Sequence, residues 1–221
     1  MPATNQAEQH TTFLRVVQGK LRQNVEASTP GAVYRTGKTP KGEIFEKNEL
    51  VYNGWSGIVR DITFKDSDYG ENCLIAFDDA IIALPTERRE FSDFIKKFAS
   101  ADRTKEISIS PYDFVTDEGK RKSGLTLSQS GQKLPDYFTT WTNGKATSRE
   151  GFPVPEAEND KDSWKIYFIK VKKYLKTWIE KNPIQKGMTI PGFEKTQEDL
   201  DGLSIRNEEI PIITDEDIRS M

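Results

Sequence analysis

Histidine and cysteine are almost missing from this chain, with one of each in 221 residues. His10 lies in a polar N-terminal arm, so neither a Ser-His-Asp nor a Cys-His site is expected. The same shortage excludes a zinc cage of Cys and His ligands. A single cysteine cannot form an internal disulfide and fits a reducing, cytoplasmic compartment. No apolar run approaches the ~18 residues that a spanning helix needs. The opening stretch MPATNQAEQHTT also lacks the basic and apolar regions of a secretion signal, so neither export nor a membrane partner is expected.

Two further absences concern phosphate and metal chemistry. TGKT (36–39) resembles the end of a phosphate-binding loop, but the pattern requires glycine at 32, where the chain has Ala32, and Gly31 misses by one. The stretch reads as a cationic turn. Asp66, Asp68, Glu71, Asp78 and Asp79 have the chemistry to hold Mg²⁺. Their setting in DSDYGEN and DD is also that of ordinary hairpin turns, where Asp bonds locally. No catalysis, metal or cofactor is therefore expected.

What the chain does have is aromatic material and an uneven charge. Twelve Phe, seven Tyr and four Trp can build a core, and 30% charged residues against 35% hydrophobic is polar without being a disordered composition. The net charge of −3 hides a division: residues 194–221 hold nine acids and three bases, which leaves a surplus of positive charge on the rest. Residues 15–41 hold six bases (Arg15, Lys20, Arg22, Arg35, Lys38, Lys41) and one acid, Glu26. A basic body with an acidic tail suggests a polyanion partner and self-shielding.

The pattern along the chain is β-rich, then helical, twice over. Residues 1–12 read as a flexible arm. FLRVVQGKLRQNV (13–25) predicts one long strand that bends at Gly19, followed by a cationic loop over 28–43. Strands are expected over 44–53, from Ile58 to Phe64, and on either side of Asp78-Asp79. Thr86 is placed to cap a helix with Phe91, Phe94, Ile95 and Phe98 on one face. EISIS, YDFV and SGLTLSQ read as further strands, with a short one near KLPDYF and a polar loop over 141–160 that carries Phe152. Helix 161–182 has Trp164, Tyr167, Phe168, Val171, Tyr174, Leu175 and Trp178 in one stripe, to be packed on the body or on a partner chain. Residues 183–221 are linker and acidic tail. The order predicts a mostly β, α+β fold, with an OB-like antiparallel barrel of five or six strands over 13–140.

Binding single-stranded nucleic acid requires cations along the phosphates and exposed rings for the bases. The early loop offers Tyr34 beside Arg35, then Lys38 and Lys41. The late hairpin offers Tyr112 and Phe114, a cationic tip of Lys120, Arg121 and Lys122, and then Lys133. Lys20, Arg22 and Arg60 are candidates for the floor, and Trp141 for an exposed ring. The expectation is one surface where unopposed cations adjoin accessible rings.

The run KEISISPYDFVTDEGKRKSGLTLSQSGQKLPDYF (105–138), preceded by GWSGIVRDI, IALP and REFSDFIKKFAS, resembles phage-encoded single-stranded DNA-binding proteins over residues 13–140. The resemblance implies an OB-type fold, sequence-tolerant binding of single strands, and service to replication or recombination in the cytoplasm of an infected bacterium. It implies also that the tail recruits replication or recombination proteins and competes with DNA. Ile210, Ile212, Ile213 and Ile218 would be its anchors, among Asp215, Glu216 and Asp217. The chain finishes Arg219-Ser220-Met221 where bacterial relatives of that kind finish on Pro-Phe, so a phage-encoded partner is expected. Two competing readings remain: a structural or assembly module in which the aromatic helix joins copies into a homo-oligomer, and a metal nuclease using the Asp66–Asp79 acids.

Overall fold

The computed structural model describes residues 11–38, 42–67, 70–142, 145–154 and 161–184. Thr12–Val17 (β1) and Lys20–Val25 (β2) form a tight hairpin, so the one bent strand expected here is two. Gln18 and Gly19 both take positive φ, 49° and 68°, which is the geometry of a two-residue reversing turn. A Cβ added to Gly19 would lie 2.4 Å from the backbone nitrogen of Asp113. The turn is thus pressed against a distant strand, and only glycine fits.

Val33–Lys38 (β3) and Ile44–Tyr52 (β4) make the next hairpin. The expected loop over 28–43 therefore contains a strand. Val33 and Tyr34 are exposed, so β3 carries no alternating apolar signal; the ladder with β4 holds it. Trp55–Gly57 (β5) and Asp61–Ser67 (β6) are separated by residues 58–60, which interrupts the alternation seen from Ile58 to Phe64. Gly70–Ala76 (β7) and Ala80–Pro85 (β8) flank Asp78-Asp79 as expected.

Arg89–Phe98 (α1) buries Phe91, Phe94, Ile95 and Phe98. Its N-cap is Arg88, and Thr86 donates its hydroxyl to the Glu71 carbonyl instead of capping the helix. Ile107–Val115 (β9) runs unbroken through Pro111 and pairs with Arg121–Gln129 (β10), which continues into Gln132–Lys133 (β11). Opposite Pro111, the Leu125 N–H donates to Asp93 Oδ2 at 3.1 Å, and Lys97 donates to the Leu125 carbonyl. α1 therefore covers the edge of β10 that would otherwise present open backbone groups. Thr139–Thr142 (β12) and Lys145–Ser148 (β13) form a hairpin where a polar loop was expected. Lys161–Lys181 (α2) is the second helix.

Among the described residues the strands form a seven-stranded sheet in the order β3-β4-β2-β1-β8-β7-β6, a four-stranded sheet β11-β10-β9-β5, and the pair β12-β13. The class is α+β and mostly β. The β1–β8 pairing is parallel, a connection that an antiparallel meander does not contain. One core unites the inner faces of the two larger sheets with both helices, from Leu14, Leu21, Ile75 and Leu84 to Phe94, Ile109, Leu127 and Leu175. Val171, Leu175 and Ile179 of α2 are buried in it. Phe138, Phe152, Tyr174 and Trp178 pack ring against ring at 5.2–5.6 Å, so Phe152 is core. Lys172 and Lys176 of α2 are tied to Glu87 and Glu71 of the body. Of the aromatic stripe, Tyr167, Tyr174 and Trp178 pack against this core, while Trp164 and Phe168 contact each other and Tyr167. No helix of the described residues is long and apolar enough to cross a membrane.

Candidate nucleic-acid interface

In a strand, alternate residues face the same side, and residues opposite each other in a ladder share a face. The register therefore fixes which side chains meet. Arg15 lies opposite Arg22, and Val17 opposite Lys20. Arg22 lies opposite Val51, and Asn24 opposite Glu49. Val33 lies opposite Glu49, Arg35 opposite Lys47, and Gly37 opposite Phe45. This side of β1–β4, turned away from the core residues Leu14, Val16 and Leu21, thus gathers five cations (Arg15, Lys20, Arg22, Arg35, Lys47) and one carboxylate, Glu49, among the described strand residues.

Glu49 is the hub. Its side chain is fully buried, while those of Arg15, Arg22 and Arg35 are 7%, 13% and 15% exposed. Arg15 donates to Oε1 of Glu49 and, at 2.8 Å, to Asn24 Oδ1. Arg22 donates to Oε2 at 2.9 Å. Arg35 donates through Nε to Oε2 at 2.8 Å and through Nη2 to Oε1 at 2.9 Å. Burial alone would push the Glu49 carboxyl up, but the Arg35 and Arg15 guanidiniums outweigh it and hold it at about 2. Arg35 also lies over the Phe45 ring, 4.9 Å from its centre, with the Lys47 ammonium at 5.6 Å. A Cβ at position 37 would sit 2.5 Å from Phe45 Cζ, so Gly37 makes room for that ring.

The structure distributes the expected site residues unevenly. Lys20 and Arg22 join Arg35 on this face, and Lys20 donates to Asn53 Oδ1 at 2.8 Å. Arg22 and Arg35 are engaged by Glu49, so the individual charges are not unopposed; the group as a whole is positive. Tyr34 is 57% exposed but lies on the opposite side of β3 from Arg35, because β3 is a strand and neighbours alternate. Lys38 ends β3 opposite Ile44. Lys41 and the tail residues Ile210, Ile212, Ile213, Asp215, Glu216, Asp217 and Ile218 lie outside the described residues.

The cationic tip expected at the β9–β10 hairpin is mostly neutralised. Arg121 makes a two-pronged pair with Asp113 at 2.9 and 2.7 Å, and Lys120 lies 3.4 Å from Glu118. Arg60 is bound the same way by Asp78 at 2.7 and 2.9 Å and precedes β6, at the far edge of the sheet from β3. Lys122 is exposed opposite Phe114. Phe114 is 51% exposed, and its ring centre is 5.9 Å from that of half-buried Tyr112, so these two do form an accessible aromatic pair. Lys133 is exposed in β11, and Trp141 falls in β12 opposite Ala146. Of the acids weighed for Mg²⁺, Glu71 engages Lys176, Asp78 engages Arg60, Asp66 lies opposite Glu71 in the β6–β7 ladder, and Asp68 lies outside the described residues. Among the described residues no group of three or more His, Cys, Asp or Glu residues is arranged to hold a metal ion.

Arg15, Lys47, Glu49 and Phe45 were not singled out as site residues from sequence. Their signal was the alternation Phe45-Lys47-Glu49-Val51, legible only once β4 is known to lie beside β2 and β3. No family model, curated protein or solved structure matches this chain.

Proposed function

We propose that this chain binds single-stranded DNA without catalysing a reaction on it. The observation that carries the reading is the face of β1–β4, where five cations meet one carboxylate. Such an excess attracts a polyanion and repels a basic partner. Exposed rings flank the surface: Phe114 lies on β9, and Tyr34 lies on the other side of the β3 edge strand from Arg35. The Gly19 turn, pressed against Asp113, joins the cationic sheet to the aromatic pair, so that phosphates would track the arginine face and unpaired bases would stack on Phe114 and Tyr112. In this reading the two larger sheets are the halves of an OB-type barrel, approaching each other at the β1–β2 turn. The acidic tail competes with DNA for the face and recruits replication or recombination proteins, in a bacterial cell infected by phage. No cofactor is involved.

Fluorescence anisotropy of the full chain with labelled oligo-dT tests this. The reading expects binding that weakens steeply with salt, a strong preference over duplex, and tighter binding when residues 207–221 are deleted. An absence of binding at low salt ends it. The competing reading, an assembly module, has one observation in its favour: Ile166 and Ile169 of α2 are exposed at 52% and 66%. A stable oligomer with no oligonucleotide affinity would favour that reading.

A further inference from the structure

The Glu49 cluster is short of negative charge. Each guanidinium carries five N–H donors in a rigid fork, and the two oxygens of Glu49 already accept from all three arginines. The Nε atoms of Arg15 and Arg22 are buried and have no hydrogen-bond partner. Arg15 is more than nine-tenths buried, so bulk water is a poor substitute for one. Arg15 and Arg22 alone outnumber the Glu49 carboxylate, before Arg35 is added. Unsatisfied donors and surplus buried charge are both unfavourable, and an oxyanion relieves both.

The shape of the cluster narrows the anion. Forked guanidiniums match the oxygens of carboxylate or phosphate in pairs. An internal phosphodiester carries one charge and a nucleoside on either side, which keeps it above a buried group. A phosphate monoester carries about −1.5 to −2 charges at neutral pH, has three free oxygens, and is tethered on one side only. It can descend to Arg15 while its strand runs outward past Lys20 and Lys47.

We propose that the Arg15–Arg22–Arg35–Glu49 cluster is a binding site for a phosphate monoester, the terminal phosphate of a nucleic-acid strand. This rests on reading the surrounding face as a nucleic-acid interface, which it refines from general attraction to recognition of a strand end. Glu49 is the positioning residue: it holds the three forks together and leaves the Nε donors of Arg15 and Arg22 for the ligand.

The test measures anisotropy of the full chain with three oligo-dT strands of one length: unmodified, 5′-phosphorylated and 3′-phosphorylated. One phosphorylated strand should bind about tenfold tighter than the unmodified one, the effect of one added charge-assisted hydrogen bond. Millimolar inorganic phosphate at constant ionic strength should erase that preference while leaving the unmodified strand bound. Arg22→Gln should abolish the preference, whereas Lys122→Gln should weaken all three strands equally. If Arg22→Gln fails to fold, Arg35→Gln on the edge strand takes its place. Equal affinity for all three strands overturns the proposal while leaving single-strand binding intact. A preference that survives both arginine variants overturns it too. Thermal stabilisation by inorganic phosphate without any strand-end preference assigns the cluster to a free anion and not to a strand. Failure of every strand to bind overturns the nucleic-acid reading together with this one.

Discussion

The β3–β4 and β9–β10 hairpins look alike in sequence, each offering rings and cations around a glycine-containing turn, yet they treat their charges differently. On β9–β10 each arginine or lysine with a resolved partner has its own carboxylate: Arg121 with Asp113, Lys120 with Glu118. These pairs lie at the surface, where water screens them and their worth is small. On β3–β4 one buried glutamate serves Arg35 and reaches over to Arg15 and Arg22. That arrangement is highly coupled, and its charges do not cancel. A cation's function depends on the number of carboxylates on its own face, and proximity in sequence does not supply that number.

Breaking the hub should produce the largest effect. Glu49→Ala leaves three crowded guanidiniums without their common acceptor, and the expected loss is about 3–5 kcal/mol in urea unfolding. A loss under about 1 kcal/mol would put Glu49 on a par with the surface pairs. Acid should do nearly the same reversibly. The Glu49 carboxyl titrates at about 2 in the folded chain against 4.5 ordinarily. The unfolded state therefore takes up the proton first, so stability is full above pH ~4.5 and falls as pH drops toward 2, by about 3 kcal/mol. The Asp78 and Asp102 carboxyls are lowered as well, by Arg60 and by Thr104. The measurement is therefore made in an Asp78→Asn/Asp102→Asn variant, where the loss that persists belongs to Glu49.

Affinity sharpens the comparison further. Replacing Lys20 and Lys47 by glutamine should weaken oligo-dT binding uniformly and reduce the salt slope by up to about 2, one per phosphate contact. The Lys120, Arg121 and Lys122 triple replacement should reduce it by about 1, because Lys122 alone has no carboxylate partner among the described contacts at that tip. Equal slopes for the two variants would dissolve the distinction between the hairpins. The smallest effect belongs to Arg121→Gln, which should change stability by less than about 1 kcal/mol in thermal or urea unfolding, as an exposed pair does.

Much of the frame was legible in the sequence. The phenylalanines of α1 and the aliphatic run of β8 declare their elements by spacing. The Asp78-Asp79 reversal between β7 and β8 was legible for the same reason: turn chemistry bounded by apolar runs is a local signal. The misses share a cause. β3 shows no apolar alternation because it is an edge strand whose side chains, Arg35 apart, face solvent, and its pairing with β4 is what holds it extended. The Gln18-Gly19 reversal is likewise enforced from outside, by the approach of β9 to Gly19. Phe152 looked like part of a polar loop because Phe138, Tyr174 and Trp178, which bury it, come from other parts of the chain.

The candidate interface divides in the same way. Sequence by itself determined that this protein is mostly β, carries one histidine and one cysteine, and concentrates bases early and acids late, since composition and short-range periodicity are properties of the chain alone. Only the tertiary structure decided that Arg15, Arg22 and Arg35 converge on Glu49 while Arg60 and Arg121 are neutralised elsewhere. Ladder register sets those neighbours, and it is fixed by burial of the opposite face of each strand, through contacts between residues far apart in the sequence.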